Sequence, residues 1–332
     1  MNFSTDSQHI VTLATDVHAA LERIDDLNVR RSVTLAPYTR FQIGGPAELF
    51  AETASISSFV SAIRVCHQKN FPLCTLGDGS NVIVSDMGFR GLVLRFTACE
   101  IRVKGFCITA DAGARLEAAV TTSVNNGLQG LETLARIPGS VGAAIFGNAG
   151  AYGSSISETI TSVKIFDGTD THQLSNQDCD FVYRGSTFKQ NKGWIIFQAE
   201  LQLRAGNRET LSSRAAEITA IRDEKFPPTM LCAGSIFKNL YLEDLPDQIA
   251  ASVPGHAVRK GKVSSAHFLE KVGAKGMCRG NIQIADYHAN LIYNRGGGKA
   301  QDLRNLISDL KKLVKDRFGI EMEEEVQYIG DF

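Results

Sequence analysis

Residues 139–153 hold five glycines in fifteen positions, where 30 glycines in 332 residues would predict between one and two. They fall within Ile137-Pro138-Gly139-Ser140-Val141-Gly142-Ala143-Ala144-Ile145-Phe146-Gly147-Asn148-Ala149-Gly150-Ala151-Tyr152-Gly153, a tract without a charged residue. Glycine adopts left-handed geometry at little steric cost and lets main-chain amides approach a ligand closely. A tract of this kind can cradle a phosphate, and it is too long and too apolar for a plain solvated loop. A second segment, Gly77-Asp78-Gly79-Ser80-Asn81, lies between Leu73-Cys74-Thr75-Leu76 and Val82-Ile83-Val84 and reads as a tight strand-turn-strand connection. Gly-Asp-Gly is also ordinary hairpin chemistry, and the local sequence leaves both readings open. Together, two anion-receptive loops point to a diphosphate ligand.

Neither segment fits the better-known nucleotide motifs. Val82 stands where the third glycine of G-x-G-x-x-G would be, and a strand-like run follows, which disfavours a Rossmann site. Gly296-Gly297-Gly298-Lys299-Ala300 lacks both the upstream glycine and the Ser/Thr of a Walker A loop.

A chain of 332 residues is expected to form two or three domains. A hydrophobic fraction of 43% and a charged fraction of 21% are those of a globular protein. The net charge of −1 gives no bulk electrostatic reason to bind nucleic acid or an anionic membrane, so small ligands are expected. Met1-Asn2-Phe3-Ser4-Thr5-Asp6 lacks the basic and apolar regions of a signal peptide, and no run approaches eighteen apolar residues, so a cytoplasmic location is expected. The seven cysteines form no C-x-x-C and most lie in apolar stretches, as small buried hydrophobes of a reducing compartment do. No Cys/His cluster has metal-ligand spacing, and no metal is expected.

Along the chain, residues 8–26 suggest an amphipathic helix (Ile10, Leu13, Val17, Ala20, Leu21, Ile24) followed by a charged joint, Asn28-Val29-Arg30-Arg31. Ile56, Phe59, Val60 and Ile63 mark a helix laid on a sheet. Short β-like runs surround that helix, and residues 159–204 are strand-rich with a turn at Asp167-Gly168. A polar stretch at 204–209 leads into a helical segment that Pro227-Pro228 ends. Leu303, Leu306, Ile307, Leu310, Leu313 and Val314 define a last helix over 300–318, with Gly319 placed to cap it. A closing strand is expected over 321–329.

Certain polar positions stand out among apolar or glycine neighbours. Arg184, in Tyr183-Arg184-Gly185-Ser186, either grips a carboxylate or phosphate through its guanidinium fork or makes a structural ion pair. Ser235 follows Gly234 and precedes Ile236-Phe237; a serine there is ordinarily a turn residue, and without a G-x-S-x-G elbow it is no hydrolase nucleophile. A held hydroxyl can instead donate a proton. In Glu323-Glu324-Glu325, strand alternation would set Glu323 and Glu325 on one face and Glu324 on the other, with two of the three carboxylates solvated. Lys225 and His288 complete the set, and a lone histidine is more often satisfied structure than catalyst.

Taken in order, these segments resemble the UDP-N-acetylenolpyruvoylglucosamine reductases. The resemblance begins at Pro37-Tyr38-Thr39-Arg40-Phe41-Gln42-Ile43-Gly44-Gly45-Pro46-Ala47, runs through residues 76–81, a stretch from 130–132 into 137–153, then 183–188 and 234–239, and ends over 319–330. Each motif alone is weak, but six in the right order are specific.

The resemblance implies an α/β fold: an FAD-binding fold of the p-cresol methylhydroxylase and vanillyl-alcohol oxidase type in two subdomains, plus a smaller C-terminal α/β substrate domain. The expected division is an N-terminal helical extension over 1–29, a first FAD subdomain over 30–95 joined by the closing strand 319–332, a second over 96–205, and a substrate domain over 206–318. It implies non-covalent FAD, NADPH as reductant, and reduction of UDP-N-acetylglucosamine enolpyruvate to UDP-N-acetylmuramate for peptidoglycan. The cofactor would rest on Gly77, Asp78, Gly79, Ser80, Asn81, Pro138, Gly139, Ser140, Gly142, Ala143, Asn148, Ala149 and Gly150.

Hydride added at C3 of an enolpyruvyl ether drives charge into the carboxylate, and fixed positive or protic groups must meet it. By resemblance, Arg184 binds that carboxylate, Glu325 hydrogen-bonds it in protonated form, which calls for a pKa raised by burial, and Ser235 protonates C2. Tyr152, Tyr183, Lys225, Asn239 and His288 match positions at or near the substrate. No Tyr or Trp lies between 205 and 235, so the tyrosine loop of one subgroup is missing; residues 280–283 and 295–299 also depart from the family pattern. A monomer is expected. The competing classes are a flavin oxidase or dehydrogenase of the same fold and a non-enzymatic flavin- or nucleotide-binding protein. The first offers no reason for Ser235 and Glu325 together; the second would tolerate loss of Arg184, Ser235 and Glu325, and all three are present.

Overall fold

The structure is a computed structural model that describes residues 4–332, with side chains from residue 13 onward. Readings that rest on Met1-Asn2-Phe3 or on the side chain of Ile10 lie outside the described residues. The chain divides into two units: Met1–Val33, Ala47–Gly79 and Arg90–Glu224 form the first, and Thr34–Pro46, Ser80–Phe89 and Lys225–Phe332 the second.

The first unit contains two sheets. One runs in the order Asn28–Thr34, Pro46–Thr53, Phe89–Phe96, Leu73–Thr75, and the last two strands are parallel. Against it lies the expected helix, Ile56–Gln68, capped by the Ser55 side chain and burying Phe59, Val60 and Ile63. The other sheet is antiparallel, in the order Thr171–Ser175, Ile160–Phe166, Ile195–Gln202, Cys107–Asp111, Ile101–Lys104. Its inward residues Ile108, Val163, Ile165, Ala199 and Leu201 pack with Val120 of helix Leu116–Asn125 and Ile145 of helix Val141–Phe146. Helix Arg208–Lys225 adds Leu211 and Ile218 to that same core.

In the second unit, strands Ile282–Ala285 and His288–Asn294 pair antiparallel, and helices Ser265–Lys271 and Ala300–Phe318 share their core. Phe41, Ile43 and Ile83 reach this core from early in the chain. The last strand, Gln327–Ile329, pairs parallel with Val82–Val84.

Several expectations need correction. The N-terminal helix stops at Leu21. Residues 28–31 are a strand rather than a joint, because Arg30 and Arg95 both pair with Glu52, at 2.6 and 2.8 Å, and hold a charged sequence in the sheet. The Gly77 turn does not close a hairpin, since the strands on either side of it belong to different sheets. The closing strand covers only Gln327–Ile329, with an isolated bridge at Glu324. Within the last helix the buried stripe omits Leu313, which is exposed.

Gly319 caps that helix in left-handed conformation as expected, its N–H donating to the Lys315 carbonyl. The other end is capped from afar. Lys299 offers no capping bond, and the Asp86 carboxylate accepts from the amides of Ala300 (2.9 Å) and Gln301 (3.0 Å). It satisfies two orphan donors and complements the helix dipole. Asp86→Ala should lower the stability of the protein by roughly 1–2 kcal/mol, read as a shifted urea midpoint at unchanged m-value.

Candidate active site

In the first unit the two glycine-bearing segments meet. A Cβ built on Gly77 would lie 3.1 Å from Ser140 Oγ. Ser140 caps helix Val141–Phe146, its hydroxyl accepting from the Ala143 amide at 3.3 Å. Val141 and Gly142 donate to the carbonyls of Ala114 and Ala112, Asn148 to Ile145 and Ala149 to Ala144. Gly150 pairs with Ser155 in a small hairpin. None of the described residues accepts from the amides of Gly77, Asp78, Gly79, Gly139 or Ser140. These five open donors, on two main chains in close approach, are what an anionic diphosphate requires. The residues therefore fit FAD, and the fit is narrower than the sequence suggested: much of the long tract uses its amides internally.

Arg95 lies 3.7 Å from the Asp78 carboxylate, extending the Arg30–Glu52–Arg95 chain of charges to the first loop. From the second loop, the Asn148 amide donates to the Val182 carbonyl at 2.9 Å. That contact ties the tract to the turn bearing Tyr183 and Arg184, which Val182 and Gly185 close with reciprocal hydrogen bonds. Arg184 has φ +56°, Tyr152 +51° and Asn148 +44°. Left-handed geometry costs a non-glycine residue about 1–2 kcal/mol, and such strain collects at functional sites. Lys189 Nζ donates to the Arg184 carbonyl at 2.8 Å, and the guanidinium lies 5.5 Å from the Tyr183 ring centre. Tyr152, at the tip of the hairpin, is exposed.

Sequence reading missed Arg222. Its side chain is hydrogen-bonded to Tyr152 and lies near Arg184 and Arg136; burial first, and then these cations, hold its pKa below the usual arginine value. No local signal marks it, because Arg222 sits in a charged helix.

The second unit assembles Ser235 and Glu325 on adjoining backbone. Ser235 bridges Leu291, and Phe237 bridges Glu324. The Glu325 amide donates to the Ile236 carbonyl at 2.7 Å, while the Asn81 side chain donates to the Glu325 carbonyl at 2.9 Å. Both Ser235 and Glu325 are half-buried. Glu323 is exposed and paired with Lys238, but Glu324 is mostly buried, paired with Lys311 at 2.9 Å and with the Tyr328 hydroxyl. Of the acidic run, the solvated reading therefore holds for Glu323 and fails for Glu324.

Asn290, also missed, is 3% exposed. Its Oδ1 accepts from the Phe237 amide at 2.9 Å, and its Nδ2 donates to the Phe237 carbonyl at 2.9 Å and to Ser265 Oγ at 2.8 Å. Its own carbonyl accepts from the Ile236 amide. This side chain pins the main chain of Phe237, two residues beyond Ser235. Asn239 Oδ1 accepts from the Ser265 amide at 3.3 Å. Ser265 thus joins two positions that the sequence treats separately.

His288 Nδ1 accepts from the Asn290 amide at 3.1 Å, which leaves Nε2 as the donor of the neutral ring. Burial, and then Lys225, push its pKa down to about 4. The Phe226 ring lies 6.5 Å away, and the Lys225 carbonyl accepts from the Tyr287 hydroxyl at 3.0 Å. Burial also raises the Cys66 and Cys74 thiols to about 12 and Cys179 to about 11, as expected of structural cysteines. Cys99 and Cys278, by contrast, are exposed.

Comparison with known proteins decides the family. The model of the UDP-N-acetylenolpyruvoylglucosamine reductase C-terminal domain matches residues 227–329, and that of an FAD binding domain matches 47–174. A UDP-N-acetylenolpyruvoylglucosamine reductase of Solibacter usitatus is 52% identical over 310 residues, covering 93% of this chain and 99% of the relative. The chain belongs to the UDP-N-acetylenolpyruvoylglucosamine reductase family. A second member, from Clostridium novyi, is 32% identical over 95% of this chain and 97% of its own. The crystal structure of the Thermus caldophilus reductase superposes with a TM-score of 0.72 at 27% identity, covering 92% of this chain and all of that one. Membership makes the protein an FAD-containing oxidoreductase of mixed α/β fold. Among the described residues no helix is long and apolar enough to cross a membrane.

Two outcomes follow from this geometry. Gly77→Val would set a branched side chain about 3.1 Å from Ser140 Oγ, between the two loops; it should yield folded protein that purifies without the flavin absorbance of the wild type. For His288, a pKa lowered to about 4 means that protons bind the unfolded chain first. Its contribution is complete above pH 6.5 and is lost as pH falls towards 4. Wild type should therefore lose urea stability faster than His288→Asn across that window, by roughly 1 kcal/mol per pH unit allowing for partial exposure. Equal slopes would mean that the ring titrates normally.

Proposed function

We infer that this protein reduces UDP-N-acetylglucosamine enolpyruvate to UDP-N-acetylmuramate, with NADPH as reductant and non-covalent FAD. The product serves peptidoglycan precursor synthesis, hence cell-wall biogenesis, cell shape and division. The observation that carries the reading is one chain with both parts the reaction needs: open amides at Gly77 and Ser140, and Ser235 beside Glu325 on backbone fixed by Asn290 and Asn81. We place the enzyme in the cytoplasm as a monomer without nucleic-acid partners; the net charge of −1 supports the last of these. The four-part division at 29/30, 95/96, 205/206 and 318/319 stands as a proposal beside the two units described above.

FAD, when bound, supplies the two-electron carrier between NADPH and the enolpyruvyl carbon. Gly77, Asp78, Gly79, Gly139 and Ser140 would hold its diphosphate through main-chain N–H groups. Arg184 binds the substrate carboxylate, where a bidentate guanidinium gains as negative charge grows during addition at C3. Glu325 in its acid form donates a hydrogen bond to the same oxygens. The Ser235 hydroxyl gives its proton to C2 and completes the saturated lactyl ether. Each such group contributes roughly 10²–10⁴-fold. Tyr152, Tyr183, Lys225, Asn239 and His288 are proposed as substrate contacts.

The purified protein should be yellow, bleach with NADPH and recolour with the enolpyruvyl substrate. Ser235→Ala should still bleach at the wild-type rate but recolour roughly 10²–10⁴-fold more slowly. Wild-type recolouring by that variant would remove the serine from the mechanism.

A further inference from the structure

Arg136 has a left-handed backbone at φ +64° immediately before the cofactor loop, and three of its groups are engaged. Its amide donates to Glu117 Oε2 at 2.5 Å, its carbonyl accepts from Arg222 Nε at 3.2 Å, and its own Nε donates to Asp223 Oδ1 at 2.6 Å. The ion pair with Asp223 is about one-third exposed on both sides. One residue thus links helix Leu116–Asn125, the glycine tract and helix Arg208–Lys225.

We propose that Arg136 is a positioning residue for anion binding. Its carbonyl fixes the Nε edge of Arg222, and its guanidinium occupies the neighbouring Asp223 carboxylate, so that Arg222 stays directed at Tyr152 and Arg184. Without the guanidinium, Asp223 competes for Arg222 or repels the incoming anion. The substrate arm of this inference rests on the reaction proposed above.

Arg136→Gly is the informative variant, because glycine keeps the left-handed backbone and the carbonyl while removing the whole side chain, the guanidinium that pairs with Asp223 included. In the FAD-loaded enzyme it should leave flavin content unchanged. The KM for the enolpyruvyl substrate and the Kd for inorganic pyrophosphate should both rise roughly three- to tenfold, with kcat within about twofold. Adding Asp223→Asn should bring both constants back within about twofold of wild type, a rescue that a merely structural role would not give. Unchanged constants in Arg136→Gly, or a double variant no better than the single one, would overturn the proposal. If wild type failed to consume the substrate, the reaction assignment would fall, while the pyrophosphate series would still decide the role of Arg136.

Discussion

The candidate site of the first unit depends on Gly77 lying so close to the second loop that a Cβ there would come within 3.1 Å of the Ser140 hydroxyl. A buried or closely packed amide must find an acceptor, and neighbouring segments satisfy most of the long tract. Ala112 and Ala114 take the amides of Gly142 and Val141, and the Ser140 hydroxyl takes that of Ala143. What remains open is a small set at the meeting point. The tract is thus mostly scaffold, and the part left with open amides is short.

The second unit solves a different problem, which is to hold short, irregular strands in register. Isolated bridges at Leu231, Ser235 and Phe237 give little ladder of their own. Buried amide side chains make up the difference: Asn290 clamps both main-chain groups of Phe237, and Asn294 donates to the Phe41 carbonyl at 2.8 Å while accepting from the amides of Gly296 and Gly298. Such fully satisfied polar groups specify one arrangement of a core. The chemistry proposed for Ser235 and Glu325 demands that fixity, since proton donation and charge stabilisation depend on geometry set before the reaction.

Much of the fold was legible because its signals are local. Phe59, Val60 and Ile63 carry their helix in their spacing, and Gly319 carries its helix end. Arg30 misled for an equally physical reason: two adjacent arginines read as a solvated joint until Glu52, from another strand, neutralises one of them. The acidic run misled similarly, because Lys311 and Tyr328 reach Glu324 and leave only Glu323 in water. Asn290 and Arg222 escaped notice since nothing beside them in sequence distinguishes a buried clamp from a surface residue.

By itself, the amino-acid order determined the pair of side-chain-poor loops and the family they announce, and it nominated Arg184, Ser235 and Glu325, because composition and motif order are properties of the chain alone. Tertiary structure alone decided which amides stay open, that Asp86 caps a helix beginning at Ala300, and that Arg136 and Tyr152 flank Arg222. The reason is that an acceptor, a cap or a counter-charge is supplied by whatever segment folding brings near. That partner can stand two hundred residues away without leaving any trace in the local sequence.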